Sequence, residues 1–485
     1  MINDFLRMEK EFQLLDEVID GFRYWPYIRR TIYNYAAFNQ DETSSNEQLK
    51  GLNISKIVSI LKNITVHNPV FYKKQKQILF ISHARRQCVE GKYKCIYTDD
   101  IADCFADNSV TAEFIYNMGH FQPVHTPKQI YLDAVDIIPA IKYKYLIRKN
   151  ASTIHKIEKT AEWLSGILSN EIGYSFSVSF IKNLIVKRFI WHKEKKKMLA
   201  KIIKNINPKV IVEVVSYEVN KMIVNEIASE LGICTIELQH GPIVEGKLAY
   251  HYITDNNYDF LPDKLFVFSE YWKDHCFLPI GKNNIIATGY PFMEEQRKKF
   301  APQVNTDGIP RIIVLSQPII SEELLSFIEK CLAALQKEAK EYKIIYKLHP
   351  AEYQNFQHFE QKLKKYKNVN IVASNEHGLY ELFSNSDVQI GVYSTAIYEG
   401  LSYNLKTWIY PAPGADIRGF MGSLLDDGYA ELICTEADFV EKVNTWCKKE
   451  LEFDDCSKKS FFISSSKENI CNEIKTILGN SGSTC

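Results

Sequence analysis

No run in this chain is long and apolar enough to cross a membrane, which takes roughly 20 consecutive residues. The opening residues, MINDFLRMEKEF, alternate acidic and basic groups and lack the apolar core of a secretion signal. The expectation is a cytoplasmic protein, with any membrane role peripheral. Metal-binding cysteine patterns are missing as well. Eleven cysteines are scattered from Cys88 to Cys485, with no CxxC pair and no His/Cys cluster at zinc spacing, so they read as buried or free thiols in a reducing compartment. No DxD sequence occurs. The adjacent pairs Asp99-Asp100 and Asp426-Asp427 would face apart on a strand and sit solvated in a loop, so no metal site is expected. Net charge is absent too: 59 basic residues balance 59 acidic ones, which removes the global field a nucleic-acid binder would carry. There is no internal repeat beyond a shared βα rhythm.

What remains is the composition of a folded α/β protein. At 485 residues, 46% apolar and 13% aromatic, the chain has material for two substantial domains with helical additions. The aromatics suit an ordinary core and also suit carbohydrate stacking. Residues 1 to about 75 read as mostly helical, with a polar linker at Gln40–Gln48. Gln77–Ser82 (QILFIS) is the first buried strand and runs into His83-Ala84-Arg85-Arg86, a basic loop for solvent or for an anion. Residues 110–205 read as lysine-rich helical sequence. Within it, Lys187–Ile206 is a basic amphipathic helix, either packed on a core or laid on an anionic membrane surface.

From Pro208 the rhythm is regular: strand PKVIVEVV, helix Asn220–Leu231, and strand ICTIELQ, which delivers Gln239-His240-Gly241-Pro242 to its carboxyl end. Two further strands lie at Asp263–Ser269 and Asn283–Pro291, and a polar junction at 295–309 follows. The second half repeats the pattern with RIIVLSQ (Arg311–Gln317), a helix over Ser321–Tyr342, KIIYKLHP (Lys343–Pro350), VNIVA, and a helix over His377–Phe383. Then comes QIGVYSTAIYEGLSYNLKTWIY (Gln389–Tyr410), which reads strand, tight turn, short helix, strand. Ser394 and Thr395 fall where that helix begins, a place that favours an anion, and Glu399 lies one turn on, able to accept from sugar hydroxyls. An ordinary N-cap is the alternative. Residues from Glu436 onward read as helices crossing back over the first half.

Three motifs in one order, QHGP (Gln239–Pro242), KLHP (Lys347–Pro350) and YSTAIYEGL (Tyr393–Leu401), give the chain a resemblance over about residues 208–435. It resembles GT-B glycosyltransferases, specifically bacterial capsule and surface-polysaccharide transferases touching the sialyltransferases and the CDP-glycerol glycerophosphotransferases. That resemblance implies an α/β chain of two Rossmann-like doubly wound domains facing across a cleft, with an additional helical N-terminal region. The expected division is 1–300, the helical region plus acceptor domain, and 301–485, the donor domain with its C-terminal helices. It also implies a nucleotide-sugar donor, a glycan or glycolipid acceptor, no nucleic acid, no cofactor and no bound metal. A sialyltransferase-type acidic base motif is missing at the matching place; the nearest, Asp426-Asp427-Gly428, lies too late.

Within that frame each residue has an expected task. His240 is the candidate base, since an unperturbed histidine titrates near neutrality; donor binding and plain packing are its other readings. His349, stiffened by Pro350, and Ser394 with Thr395 are expected on the donor phosphates, joined by Glu399, Lys347 and Gln317. Gln239, Gly241 and Tyr290 are expected to line the cleft. A nucleotide-sugar 2-epimerase or a non-catalytic scaffold of the same fold are the competing functions.

Overall fold

The computed structural model describes residues 1–38, 54–117, 121–126, 129–338, 341–374, 378–446 and 460–480. The linker expected at Gln40–Gln48 lies outside them, as does His377 at the start of one expected helix. Thirteen strands build two sheets. The first holds β1 (Ile78–Ile81), β2 (Ser109–Glu113), β3 (Gln129–Tyr131), β4 (Val210–Val214), β5 (Cys234–Leu238), β6 (Lys264–Val267) and β7 (Ile285–Ala287). The second holds β8 (Arg311–Leu315), β9 (Lys343–Lys347), β10 (Val369–Val372), β11 (Val388–Gly391), β12 (Lys406–Ile409) and β13 (Ala430–Leu432).

Every pairing in both sheets is parallel. Parallel strands are covered on both faces by crossover helices, which is why β1 and β4 are buried along their whole length. The orders are β3-β2-β1-β4-β5-β6-β7 and β10-β9-β8-β11-β12-β13. Both follow the doubly wound order 3-2-1-4-5-6, the first with one strand added. Each reverses direction once, between β1 and β4 and between β8 and β11, and crevices at such reversals are where open α/β sheets bind ligands. This is the pair of Rossmann-like domains of the GT-B arrangement.

Strand periodicity explains how the two domains share a core. In β8, Ile312 and Val314 point to a core closed by the helix Ser321–Glu338, while Ile313 and Leu315 point to a core continuous with the first domain. After the second sheet the chain crosses back. The helix Ser466–Asn480 packs against helices Asp99–Asp103 and Pro291–Lys299, burying Ile470 and Ile474.

Two expectations need correction. The span 110–205 is not helical throughout, because β2 and β3 lie within it or at its edge. Strand β2 (SVTAE) carries a charge at Glu113 that is buried against Arg86 at 2.9 Å, and that polar position hides the strand. The basic helix, in fact Val178–Ile206, buries Phe189, Ile190, Leu199, Ile202 and Ile203 in the first domain and ties Lys195 to Asp136 at 2.5 Å. Its apolar face is therefore unavailable to a membrane surface. Among the described residues, no helix is long and apolar enough to span one.

Strand β4 also carries a buried carboxylate, Glu213, beside Glu237 of β5 in register and without a hydrogen bond. Burial pushes its pKa up to about 8. The folded state thus holds this proton more tightly than the unfolded chain, so the contribution is complete below the unfolded value and is lost as pH rises from about 4.5 to about 8. The expected slope is about 1.4 kcal/mol per pH unit at most. Glu213→Gln should remove that slope, stabilising the protein at pH near 8.5 with little change near 5. Parallel wild-type and variant curves in chemical denaturation at several pH values would contradict this.

Candidate functional site

The two carboxyl edges face one another and touch. Gly241, directly after His240, lies so close to the start of the second-domain helix that a Cβ on it would stand 3.5 Å from Thr395 Cγ2. Further along the same loop, Gly246 N–H donates to Gly419 O at 2.8 Å. A Cβ there would fall 2.9 Å from the Gly419 backbone, so glycine is required by the approach itself.

His240 sits in a shell of hydroxyls and cations. The Tyr250 hydroxyl donates to Glu237 Oε1 at 2.7 Å and stands 3.3 Å from His240 Nδ1. With its proton given to Glu237, the tyrosine oxygen accepts from Nδ1–H, and this network assigns the lone pair to Nε2. There the Tyr217 hydroxyl donates at 3.1 Å, while Ser216 donates to the other Glu237 oxygen at 2.5 Å. Tyr97 holds the backbone by donating to His240 O at 2.9 Å. Burial, then the charge of Lys247, His83, Lys221 and Arg30, drives the His240 pKa well below its ordinary value. The expectation of a histidine titrating near neutrality is corrected by this burial, with the surrounding positive charge adding to it: the ring is neutral throughout the physiological range. Its neighbour His83, with ring centres 6.1 Å apart, is pushed down to about 3 by burial, then by Lys221, Arg85 and Arg86.

Across the cleft, Ser394 caps the helix Thr395–Leu401 by accepting from Ala396 N at 3.2 Å. His349 does the same for the short turn Pro350–Asn355: its Nδ1 accepts from Ala351 N at 3.2 Å while Glu352 accepts from His349 N–H at 2.9 Å. The capping bond places the proton on Nε2 of this exposed ring, leaving an N–H donor at the sheet edge. Strand spacing puts the β9 end roughly 10 Å from that of β11, with β8 between.

Other expected site residues are tied up in the protein. Glu399 does not offer its carboxylate freely: Oε1 pairs with Arg85 at 3.2 Å across the domain boundary, and Oε2 accepts from Tyr380 at 2.9 Å. Gln317 clasps the turn itself, accepting from Tyr393 N at 3.1 Å and donating to Tyr393 O at 3.2 Å. Lys347 is buried, donating to Tyr353 Oη at 2.6 Å and Leu348 O at 3.0 Å, and burial lowers its pKa to about 8. Gln239 braces the loop, donating to Gly241 O at 2.8 Å and accepting from Phe268 N at 2.7 Å. Tyr290 is not at the cleft surface; it is stacked between Tyr97 and Phe268 and is 3% exposed.

Glu237, Tyr250, Tyr217 and Lys247 were not anticipated. Glu237 carried a signal, being a charge inside an otherwise apolar strand, which needs a buried partner. Among the described residues no group of three or more His, Cys, Asp or Glu side chains converges as for a metal ion. A larger cavity of about 840 Å³ opens between the 302–305 segment and the amino edge of the second sheet, at Asp387, Lys406 and Thr407, away from the edges where such sheets bind ligands.

No family model matches the chain, and no curated protein does. It is similar to solved structures. One is the UDP-GlcNAc 2-epimerase from Methanocaldococcus jannaschii (13% identity, TM-score 0.47, covering 82% of this chain and 99% of that one). Another is the S. aureus MnaA–UDP co-structure (12%, 0.48, 84% and 97%). A third is the wall teichoic acid polymerase TagF (11%, 0.45, 88% and 98%). Overlaps this distant carry no argument about activity, and the architecture rests on the strand order and registers of this chain.

The Arg85–Glu399 pair is a charged tie between the halves. Because Arg85 is 40% exposed, solvent screens it, and a coupling on the order of 1 kcal/mol is expected from a double-mutant cycle of Arg85→Met and Glu399→Gln in denaturant unfolding. A coupling of zero would remove the pair from the forces holding the cleft together.

Proposed function

We propose that this chain is a glycosyltransferase that moves a sugar, or a related group, from a nucleotide-activated donor to a hydroxyl of a surface-glycan acceptor. The observation that carries the reading is the apposition of the His240-Gly241 loop with the Ser394-Thr395 turn across a closed cleft, with the neutral imidazole held on its own side by the Tyr217 and Tyr250 hydroxyls. In this reading the acceptor hydroxyl takes the place of the Tyr217 O–H at His240 Nε2, which accepts its proton as the acceptor oxygen attacks the anomeric carbon. The bond from that carbon to the phosphate oxygen breaks, and its electron pair leaves with the nucleotide. Ser394, Thr395 and His349 Nε2–H donate to the phosphate oxygens, where negative charge grows. The Glu237–Tyr250 pair holds the imidazole in the tautomer the step requires and stabilises its protonated form.

Two variants divide the roles. His240→Asn should cut turnover by about 10²–10⁴-fold with nucleotide affinity nearly unchanged. Ser394→Ala with Thr395→Ala should weaken nucleotide binding about tenfold or more. Since the folded environment keeps His240 neutral to well below its ordinary pKa, the wild-type rate should stay level from pH 8 down through 6.5. The decisive assay incubates the purified chain with UDP-, CMP-, CDP- and GDP-activated donors, with and without glycan acceptor. Acceptor-dependent nucleotide release supports transfer. An epimerised nucleotide sugar formed without acceptor overturns it.

A further inference from the structure

Beside the His240 loop lies a small cavity of about 190 Å³ lined by both domains and by the N-terminal helical region; Phe420 in its wall stacks on Tyr393, next to Ser394. The helix Trp25–Phe38 supplies Arg30, Tyr33 and Asn34, the loops after β4 and β5 supply Tyr217 and Lys247, and Phe420 closes it from the second domain. Its volume is below the roughly 300–1,000 Å³ of pockets that take drug-sized molecules, so it suits a single small group.

Its charge is one-sided. Arg30 stacks over the Tyr217 ring at 4.7 Å and has no carboxylate partner among the described residues. Among the described residues Lys247 donates to Pro242 O, at 3.3 Å. Burial lowers its pKa to about 8, opposed by the charge of Glu237 and assisted by that of Arg30. A third cation, Arg188, has a buried Nε without a hydrogen bond. Its pKa is lowered to about 10 by burial and then by Arg30. The carboxylates nearby are spent elsewhere. Glu237 is held by Ser216 and Tyr250, and Asp416 caps its own helix by accepting from Gly419 N at 2.9 Å. In a chain with 59 charges of each sign, this local excess belongs to the pocket and not to the protein's overall charge.

The scaffold beneath it is rigid. Arg29, adjacent to Arg30, forms a fully buried pair with Glu9 at 2.6 Å and donates to Leu248 O at 3.1 Å and His251 O at 3.0 Å. Consecutive helical residues point about 100° apart, so fixing Arg29 into the loop sends Arg30 toward the cavity. The same helix thus anchors the loop that carries Lys247 and contributes the facing cation.

We propose that Arg30 and Lys247, with Arg188 behind them, form an oxyanion subsite that holds a phosphate or carboxylate group of the acceptor next to His240. This rests on the transferase reading and narrows its acceptor to an anionic one, either a phosphate-bearing glycan or a uronic-type sugar.

Calorimetry on the full chain tests it with glycerol 3-phosphate and glucuronate as probes, and with the best-binding nucleotide titrated separately. Arg30→Gln and Lys247→Gln are each expected to weaken the probe that binds about tenfold, and Arg30→Lys to weaken it less, with nucleotide affinity unchanged. Ser394→Ala with Thr395→Ala should show the reverse pattern. Which probe binds separates phosphate from carboxylate. The subsite is overturned if neither probe binds the wild type saturably, or if Arg30→Gln, on an exposed helix position, leaves probe affinity intact. It is also overturned if nucleotide and probe weaken together in both cavity variants. Should no nucleotide bind while the probe still depends on Arg30, the subsite stands and the transferase reading falls.

Discussion

The backbone hydrogen bond from Gly246 to Gly419 sets how closely the two halves of this molecule meet. With no Cβ on Gly246, its loop approaches the first turn of the second-domain helix Ile417–Asp426 to 2.8 Å, and the His240 loop lies against the Ser394-Thr395 turn. Apolar packing then seals the contact. Trp272 packs on Tyr398 with ring centres 5.0 Å apart, Phe292 meets Tyr380 edge-on at 5.6 Å, and Tyr271 donates to Ser423 at 2.9 Å. The structure is that of a closed cleft, so under the proposed function substrates would enter by separating these contacts, with the Arg85–Glu399 pair a charged tie among them.

Closure and chemistry are linked through electrostatics. Burial makes charge on His240 costly, and Lys247, Lys221 and Arg30 add repulsion, so the ring stays neutral. The same cations that keep the imidazole unprotonated attract negatively charged substrates. The proposed transfer from a phosphate-activated sugar calls for both properties, and here one set of side chains has them. The buried Glu237, reached through Tyr250, adds the opposite influence at a distance and favours the imidazolium only once a proton has arrived.

Much of this was legible in the sequence, and the parts that were not share a cause. Strands such as ILFI, and VIVEV with its single glutamate, were visible because parallel strands buried on both faces read as near-continuous apolar runs. The motif residues His240, Gly241, Ser394 and Thr395 were visible because strand ends and helix starts are marked locally. Strands β2 and β3 were hidden: polar and charged residues interrupt them, and their burial depends on a partner, Arg86 for Glu113, far away in sequence. Glu399 illustrates the same limit. It was expected to accept from sugar hydroxyls of a donor, but its carboxylate pairs with Arg85, 314 residues away, and no local pattern announces that pairing. Gln317 was expected on the donor and Gln239 and Tyr290 in the cleft lining; Gln239 and Gln317 instead brace their own loops and Tyr290 is stacked in the core, a distinction set by tertiary packing.

The central claim is that a nucleotide-activated donor occupies the cleft between His240 and Ser394. Hydrogen–deuterium exchange of the full chain, with and without saturating CMP, CDP, UDP or GDP, addresses it directly. The account predicts that one of these nucleotides slows exchange in peptides covering 239–250 and 391–399 together, since both flank the bound phosphates. Slowed exchange confined to 302–307 and 403–407, around the cavity at the amino edge of the second sheet, would contradict it.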